Sequence, residues 1–482
     1  MSKINLNEKQ KSIIITVCVI LVAVLIIGLA VFNRVAESGI IARNSVAVES
    51  ENFEVDGMMM NYFLTSTVQP YSQYFNLMNV DTTKSLKTQM YSETQTWFDF
   101  FAESTKSYLG EILTLCEYAK ANGIELGEAE NKTIDENLAE FKNTAETAGY
   151  TLNTYIRLSF GAGMKVEDIR NCLELTTLAD IASKKYTDSI NYSDDELLAY
   201  RDANPDSFNG VDYIKFTVSG SDFTVFEDSV STSTTEEDNA AAEAAAEKFN
   251  QAQTVEEFKS LIVAYFTEHH EEHEGHEADE NLQAAENAYT RHALKSDFEE
   301  EIATWAFAAK VGETKVQKNE KGDQFTVYML AKTPYIDETV TRNVRHILFS
   351  SNTHKDDTKV KEAFAEWEES GFSDEEFISL EFIYNEDEGS KETAGVYENL
   401  AIGSTDAAFD AWLYDADRKV GDRDIVETSF GWHIMEYLGE GDSVAWRANA
   451  KDFKTSDDYQ AFINAGKEKI SFNDKVINSI DY

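Results

Sequence analysis

Apolar residues recur along this chain in three rhythms, each with its own structural consequence. The first is an unbroken run, "IIITVCVILVAVLIIGLAVF" from 13 to 32, which contains no charge. At 1.5 Å per residue a helix of that length crosses about 30 Å of hydrocarbon, so the run predicts a transmembrane anchor over 13–33. The second rhythm advances in steps of three and four. In "TQTWFDFFAESTKSYLGEILTLCEYAKANGIEL" the residues Trp97, Phe101, Tyr108, Ile112, Leu115 and Ala119 fall on one stripe of a helix that ends near Gly123. Further helices are predicted over 131–149, on both sides of the break at Gly161, Ala162 and Gly163, and over "YSDDELLAYRDANPDSF". The last starts at Ser193 or Asp194 and stops before Pro205. Aromatic residues along these stripes read as the core of a helical bundle.

The third rhythm is short and strand-like, and it occurs twice. "VDYIKF" (211–216) resembles "VRHILF" (344–349), "FEEEIATWAFAAKVGETKV" (298–316) resembles "FDAWLYDADRKVGDRDIV" (409–426), and "QFTVYML" (324–330) resembles "SFGWHIM" (429–435). Three matched blocks in one order indicate an internal duplication. Tyr213 then stands where His346 stands, and Tyr328 where His433 stands. The first copy lacks both histidines.

Charge narrows the partners. Of 482 residues 88 are acidic and 42 basic, a net charge of −46. Such a chain repels nucleic acid and anionic lipid surfaces, and suits clients that are basic or merely unfolded. Lys3, Lys9 and Lys11 precede the apolar run. The positive-inside rule therefore puts the N-terminus in the cytoplasm and the bulk of the chain outside a plasma membrane crossed once. Three prolines and abundant helix formers predict a mostly helical chain interrupted by strand-rich units. Cys18, Cys116 and Cys172 are spaced for neither a zinc site nor a disulfide framework. Within the first copy, "STSTTEEDNAAAEAAAEKFNQAQ" reads as an acidic linker entering an alanine-rich helix. "EHHEEHEGHEADE" follows, with His269, His270, His273 and His276 as weak candidates for zinc, copper or nickel. Gly275 and the acidic flanks favour a solvated loop there instead.

Four motifs in order, "VRHILF", "YNEDEGS" (384–390), "KVGDRDIVET" and "FGWHIM", make residues 343–440 resemble a parvulin-type peptidyl-prolyl isomerase domain. The resemblance implies a four-stranded antiparallel sheet surrounded by helices. It further implies His346, Asp387 and His433 as catalytic residues and Phe409, Thr405, Thr428 and Phe430 as substrate-binding residues, with Phe409 walling a proline pocket. Strand alternation puts His346 on one face with Val344 and Leu348, and His433 on one face with Gly431 and Met435, so on neighbouring strands the two imidazoles can meet. Two buried histidines can equally be core polar groups that satisfy each other. The family's glycine-rich GGDLGWF run stands here as "AGVYENL" (394–400), and Thr405 replaces a common Met or Leu, which implies a weaker pocket. No cofactor is expected, since twisting an X-Pro amide requires neither nucleophile nor metal.

The layout also resembles the PrsA/SurA class of extracytoplasmic foldases. It implies an α+β chain with a cytoplasmic tail (1–12), an anchor (13–33), a helical chaperone domain (34–208), a degenerate parvulin-like domain (209–336), an isomerase domain (343–440) and a helical tail (441–482) packed on the chaperone domain. The implied partners are unfolded or partly folded secreted polypeptides with X-Pro bonds, the membrane through one helix, and a second copy of the chain. The alternative is a non-catalytic holdase in which both parvulin folds serve as binding modules.

Overall fold

The computed structural model describes residues 38–480 apart from 225, 228, 229, 232, 233 and 270–276. The predicted anchor over 13–33 and the histidines His270, His273 and His276 lie outside the described residues. Among the described residues no helix is long and apolar enough to cross a membrane, and no group of three or more His, Cys, Asp or Glu is placed to hold a metal. The described His269 packs its ring on Phe223 and Tyr265. Two compact units divide the chain: Met1–Asn191 with Thr455–Tyr482, and Tyr192–Lys454.

The first unit is built on the helix Trp97–Ala121. Thr96 accepts from the Asp99 amide at 3.2 Å while the Asp99 carboxylate accepts from the Thr96 amide at 2.9 Å, which satisfies two amides that a bare helix start leaves open. Of the predicted stripe, Phe101, Ile112, Leu115 and Ala119 are buried and Trp97 packs on the same core, but the buried face is wider than that stripe. Tyr108 is half exposed, whereas Phe98, Leu109, Leu113 and Cys116 are buried, because helices Gly57–Val68 and Val166–Ser189 and residues from the C-terminal end all pack on this helix. Strands β1 (Val46–Glu49) and β2 (Glu54–Asp56) form a small sheet with Ser471–Phe472, Val48 pairing with Phe472. Ile463, Ile477 and Ile480 join the same core. Chain ends far apart in sequence thus close one hydrophobic body.

The second unit holds two four-stranded antiparallel sheets, a mixed α+β arrangement. The first comprises β3 (Asn209–Ser219), β6 (Tyr289–Leu294), β7 (Thr314–Lys318) and β8 (Gln324–Ile336); between β3 and β6 lie a short hairpin, β4 (Phe226–Glu227) with β5 (Val230–Ser231), and three helices. The alanine-rich helix Thr235–Asn250 buries Ala242, Ala245, Ala246 and Phe249 against Ile214 and Val218, so its alanines form core. The second sheet comprises β9 (Val340–Ser350), β10 (Val396–Leu400), β11 (Arg423–Thr428) and β12 (Gly431–Val444). The two orders, β6-β3-β8-β7 and β10-β9-β12-β11, are the same when each sheet is counted from its own first strand. Register repeats too: Lys215 pairs with Tyr328 as Leu348 pairs with His433, and Tyr213 with Leu330 as His346 with Met435. Residues 192–208 lie in this unit, where Leu197 and Phe208 share a small core with Trp446 and Ala450.

Candidate active site

Strand alternation gives the second sheet two unlike faces. Ile347, Phe349 and Ile434 point one way and are covered by helices Thr358–Glu369 and Asp374–Tyr384. Val344 and Met435 point the other way, into a core with Phe409, Trp412 and Leu413 of helix Ala407–Leu413. His346 and His433 share that second face on the neighbouring strands β9 and β12. Because His433 pairs with Leu348, two residues beyond His346, the imidazoles are diagonal neighbours. Their rings stack with centroids 5.3 Å apart and their Nδ1 atoms 3.1 Å apart. Both are at least 95% buried, and the Phe409 ring stands edge-on to each, at 5.6 and 5.4 Å.

The hydrogen-bonded chain extends in both directions. His346 Nε2 lies 2.8 Å from Asp387 Oδ2, which also accepts the Tyr397 hydroxyl at 2.8 Å. His433 Nε2 lies 2.9 Å from Thr428 Oγ1. The Asp387 carboxyl is held well below its usual range, chiefly by the His346 hydrogen bond and further by Tyr397, against the opposing effect of burial. Burial, reinforced by His346, pushes His433 down to about 3. An ionised Asp387 can only accept, so His346 carries its proton on Nε2. The neutral His433 completes the chain: its Nδ1 meets His346 Nδ1, and its Nε2 shares the Thr428 hydroxyl with the Gly431 carbonyl, 3.2 Å from Thr428 Oγ1.

The loop that presents Asp387 is anchored by Asn385, the second residue of "YNEDEGS". Asn385 Oδ1 accepts from the Leu348 and Asp387 amides at 3.0 and 3.1 Å, and its NH₂ donates to Glu381 and Ser390. Tyr397, in "AGVYENL", takes its role from strand pairing. It pairs with Val344 across β9 and β10, and so shares the face of His346; the phase of "VYENL" reveals this only once its partner strand is known. The glycine retained in "AGVYENL" also has a reason. Gly395 sits at φ +78°, its carbonyl accepts the His346 amide at 2.8 Å, and a Cβ there would overlap the His346 carbonyl oxygen.

The structure therefore gathers His346, His433, Asp387, Thr428 and Phe409 in one place. Phe430 is 62% exposed in the turn between β11 and β12. Thr405 donates to Asp410 at 2.6 Å on the loop before helix Ala407–Leu413. In the first sheet Tyr213 and Tyr328 take the histidines' places, 5.8 Å apart, with Phe298 5.0 Å from Tyr213 and the Tyr328 hydroxyl on Gln317.

Comparison with known proteins bears on this site. Residues 328–440 match the family model of the PPIC-type PPIase domain. No curated protein matches the chain. Among solved structures the chain is similar to the peptidylprolyl isomerase PrsA of Bacillus anthracis, at 17% identity and TM-score 0.21 over 48% of this chain and 88% of that one. PrsA of Bacillus subtilis is similar at 13% identity and TM-score 0.28, over 80% and 89%. The foldase protein PrsA of Streptococcus pneumoniae is similar at 15% and 0.20, over 52% and 79%. Scores this low carry no argument about arrangement, and the assignment rests on the family model, whose match includes all five gathered residues. Residues 328–440 of the chain form a PPIC-type PPIase domain, the parvulin type of peptidyl-prolyl cis-trans isomerase.

Proposed function

We propose that the chain is an extracytoplasmic foldase, tethered by residues 13–33, that binds unfolded secreted polypeptides and speeds rotation of their X-Pro bonds at His346, Asp387 and His433. The observation that carries this reading is the continuous chain Thr428, His433, His346, Asp387, Tyr397 beneath the Phe409 ring. Rotation requires loss of amide resonance, a barrier of about 18 to 20 kcal/mol. The planar amide places negative charge on its carbonyl oxygen, and the twisted amide places less. An ionised Asp387 beside that oxygen destabilises the planar form more than the twisted one. The histidine pair holds the carboxylate in position, Phe409 and Phe430 enclose the proline ring, and a thousandfold gain requires only about 4 kcal/mol. The first sheet, with Tyr213 and Tyr328 in place of the pair, is a non-catalytic parvulin-like unit that is structural or binds client.

A protease-coupled assay of an X-Pro tetrapeptide tests the site. The chain should accelerate isomerisation, and Asp387→Ala should lower kcat/KM at least tenfold. Suppression of client aggregation without any acceleration would leave the holdase reading in its place. For the tether, alkaline carbonate should leave the chain in the membrane pellet; release into the supernatant would overturn it.

A further inference from the structure

Helix Ala407–Leu413 has a second face. Phe409, Trp412 and Leu413 pack on the catalytic sheet. Ala407, Asp410 and Ala411, at helical spacing on the opposite side, and Tyr414 just past the helix line a cavity of about 960 Å³. β6 of the first sheet and the start of helix Ala445–Lys467 supply other walls, including Arg291, Trp446 and Phe453. One short helix thus separates the catalytic histidines from a large open cleft.

We propose that this cleft holds the part of a client chain that flanks the isomerised X-Pro bond, and that it selects lysine or arginine there. The inference rests on the reading of His346, Asp387 and His433 as the isomerase site. Three observations converge on a cationic, extended occupant. First, four aspartates line the cavity, Asp297, Asp337, Asp410 and Asp452, against one arginine, Arg291, which is bound to Asp337 at 3.0 Å. Second, Asp410 accepts from neutral donors, the Thr405 hydroxyl and the Gly403 amide, and burial pushes its carboxyl above the usual range. A cation beside it restores what burial removes. Third, Phe453 is 40% exposed on the wall, a surface on which the stem of a long basic side chain packs while its charge reaches a carboxylate. A second copy of the chain, carrying −46, is repelled from such a cleft. Passing around a helix of about 10 Å diameter takes roughly five residues of extended chain, which sets the distance between proline and basic residue.

The test uses the full chain and two peptides that differ only in carrying two lysines or two glutamates about five residues from a single X-Pro bond. At low salt kcat/KM should favour the lysine peptide by about tenfold, and Asp452→Lys should reduce that ratio to below about threefold. Because the ratio compares two substrates on one preparation, loss of folded protein does not change it. A ratio near one in the unmutated chain overturns the inference and leaves the isomerase reading intact. An undiminished ratio in the variant also overturns it, by assigning the preference to the overall negative field. Failure to isomerise either peptide removes the isomerase reading and this inference with it. Sedimentation of the chain alone completes the test: a dimer that dissociates in Asp452→Lys would make a second copy the occupant.

Discussion

At the scale of single residues, the site works through what each group is prevented from doing. Burial keeps His433 neutral down to about 3, whereas the unfolded residue protonates near 6.5. Between those values the unfolded chain binds the extra proton, so stability falls as pH drops, and above about 6.5 the contribution is fully present. The depressed carboxyl of Asp387 adds a loss of the same sign at still lower pH. Thermal melting from pH 8 to 4 should show this slope, and it should be shallower in His433→Gln; equal slopes would contradict the buried neutral ring. Gly395 is constrained by backbone. Its positive φ and its closeness to the His346 carbonyl make Gly395→Ala costly by about 1 to 3 kcal/mol, read as a lower Tm together with reduced activity. A variant as stable as the unmutated chain would refute the close approach. Asn385 stands inside "YNEDEGS" and Tyr397 inside "AGVYENL", but their roles are not marked there, because the Leu348 amide and the face shared with His346 are supplied by β9.

Elements show how one topology yields an equipped sheet and an unequipped one. Both sheets share strand order and register, so the aromatic pair Tyr213 and Tyr328 occupies the geometric position of the histidines. They differ in what joins the first two strands. Between β9 and β10 runs the loop that carries Asp387, pinned by Asn385; between β3 and β6 lies a long insert whose alanine-rich helix covers the opposite problem, a hydrophobic sheet face. Restoring histidines alone therefore should not restore catalysis. In an Asp387→Ala background, Tyr213→His with Tyr328→His should leave the tetrapeptide assay at the level of Asp387→Ala; recovered activity would show that a histidine pair suffices. Helix Ala407–Leu413 adds a further lesson, since its seven residues satisfy two surfaces and its pattern is polar only at Asp410. The stripe predicted for Trp97–Ala121 is narrower than the buried face for a related reason: packing on several sides widens the buried arc beyond what one period reveals.

For the whole molecule, charge is the property that composition alone establishes. A net charge of −46 predicts that suppression of aggregation of a basic client weakens as ionic strength rises from about 20 to 500 mM, since screening shortens to a few ångströms. Salt-independent capture would assign binding to apolar contacts instead. The sequence by itself determined the repeated strand-helix-strand blocks, the helices of the first unit, the motifs that carry His346, His433 and Asp387, and the tyrosines that stand in the first copy. These follow from local periodicity and from motif order, which depend on neighbours a few residues away. Only the tertiary structure decided that Ser471–Phe472 completes a sheet with Val46–Glu49, that Tyr397 and Thr428 end the hydrogen-bonded chain, that Gly395 is needed where β10 meets His346, and that a cleft lies behind the Phe409 helix. Each of those depends on which distant segments share a face. Strand pairing and core closure settle that through burial and hydrogen-bond satisfaction across the whole fold, and no local pattern encodes it.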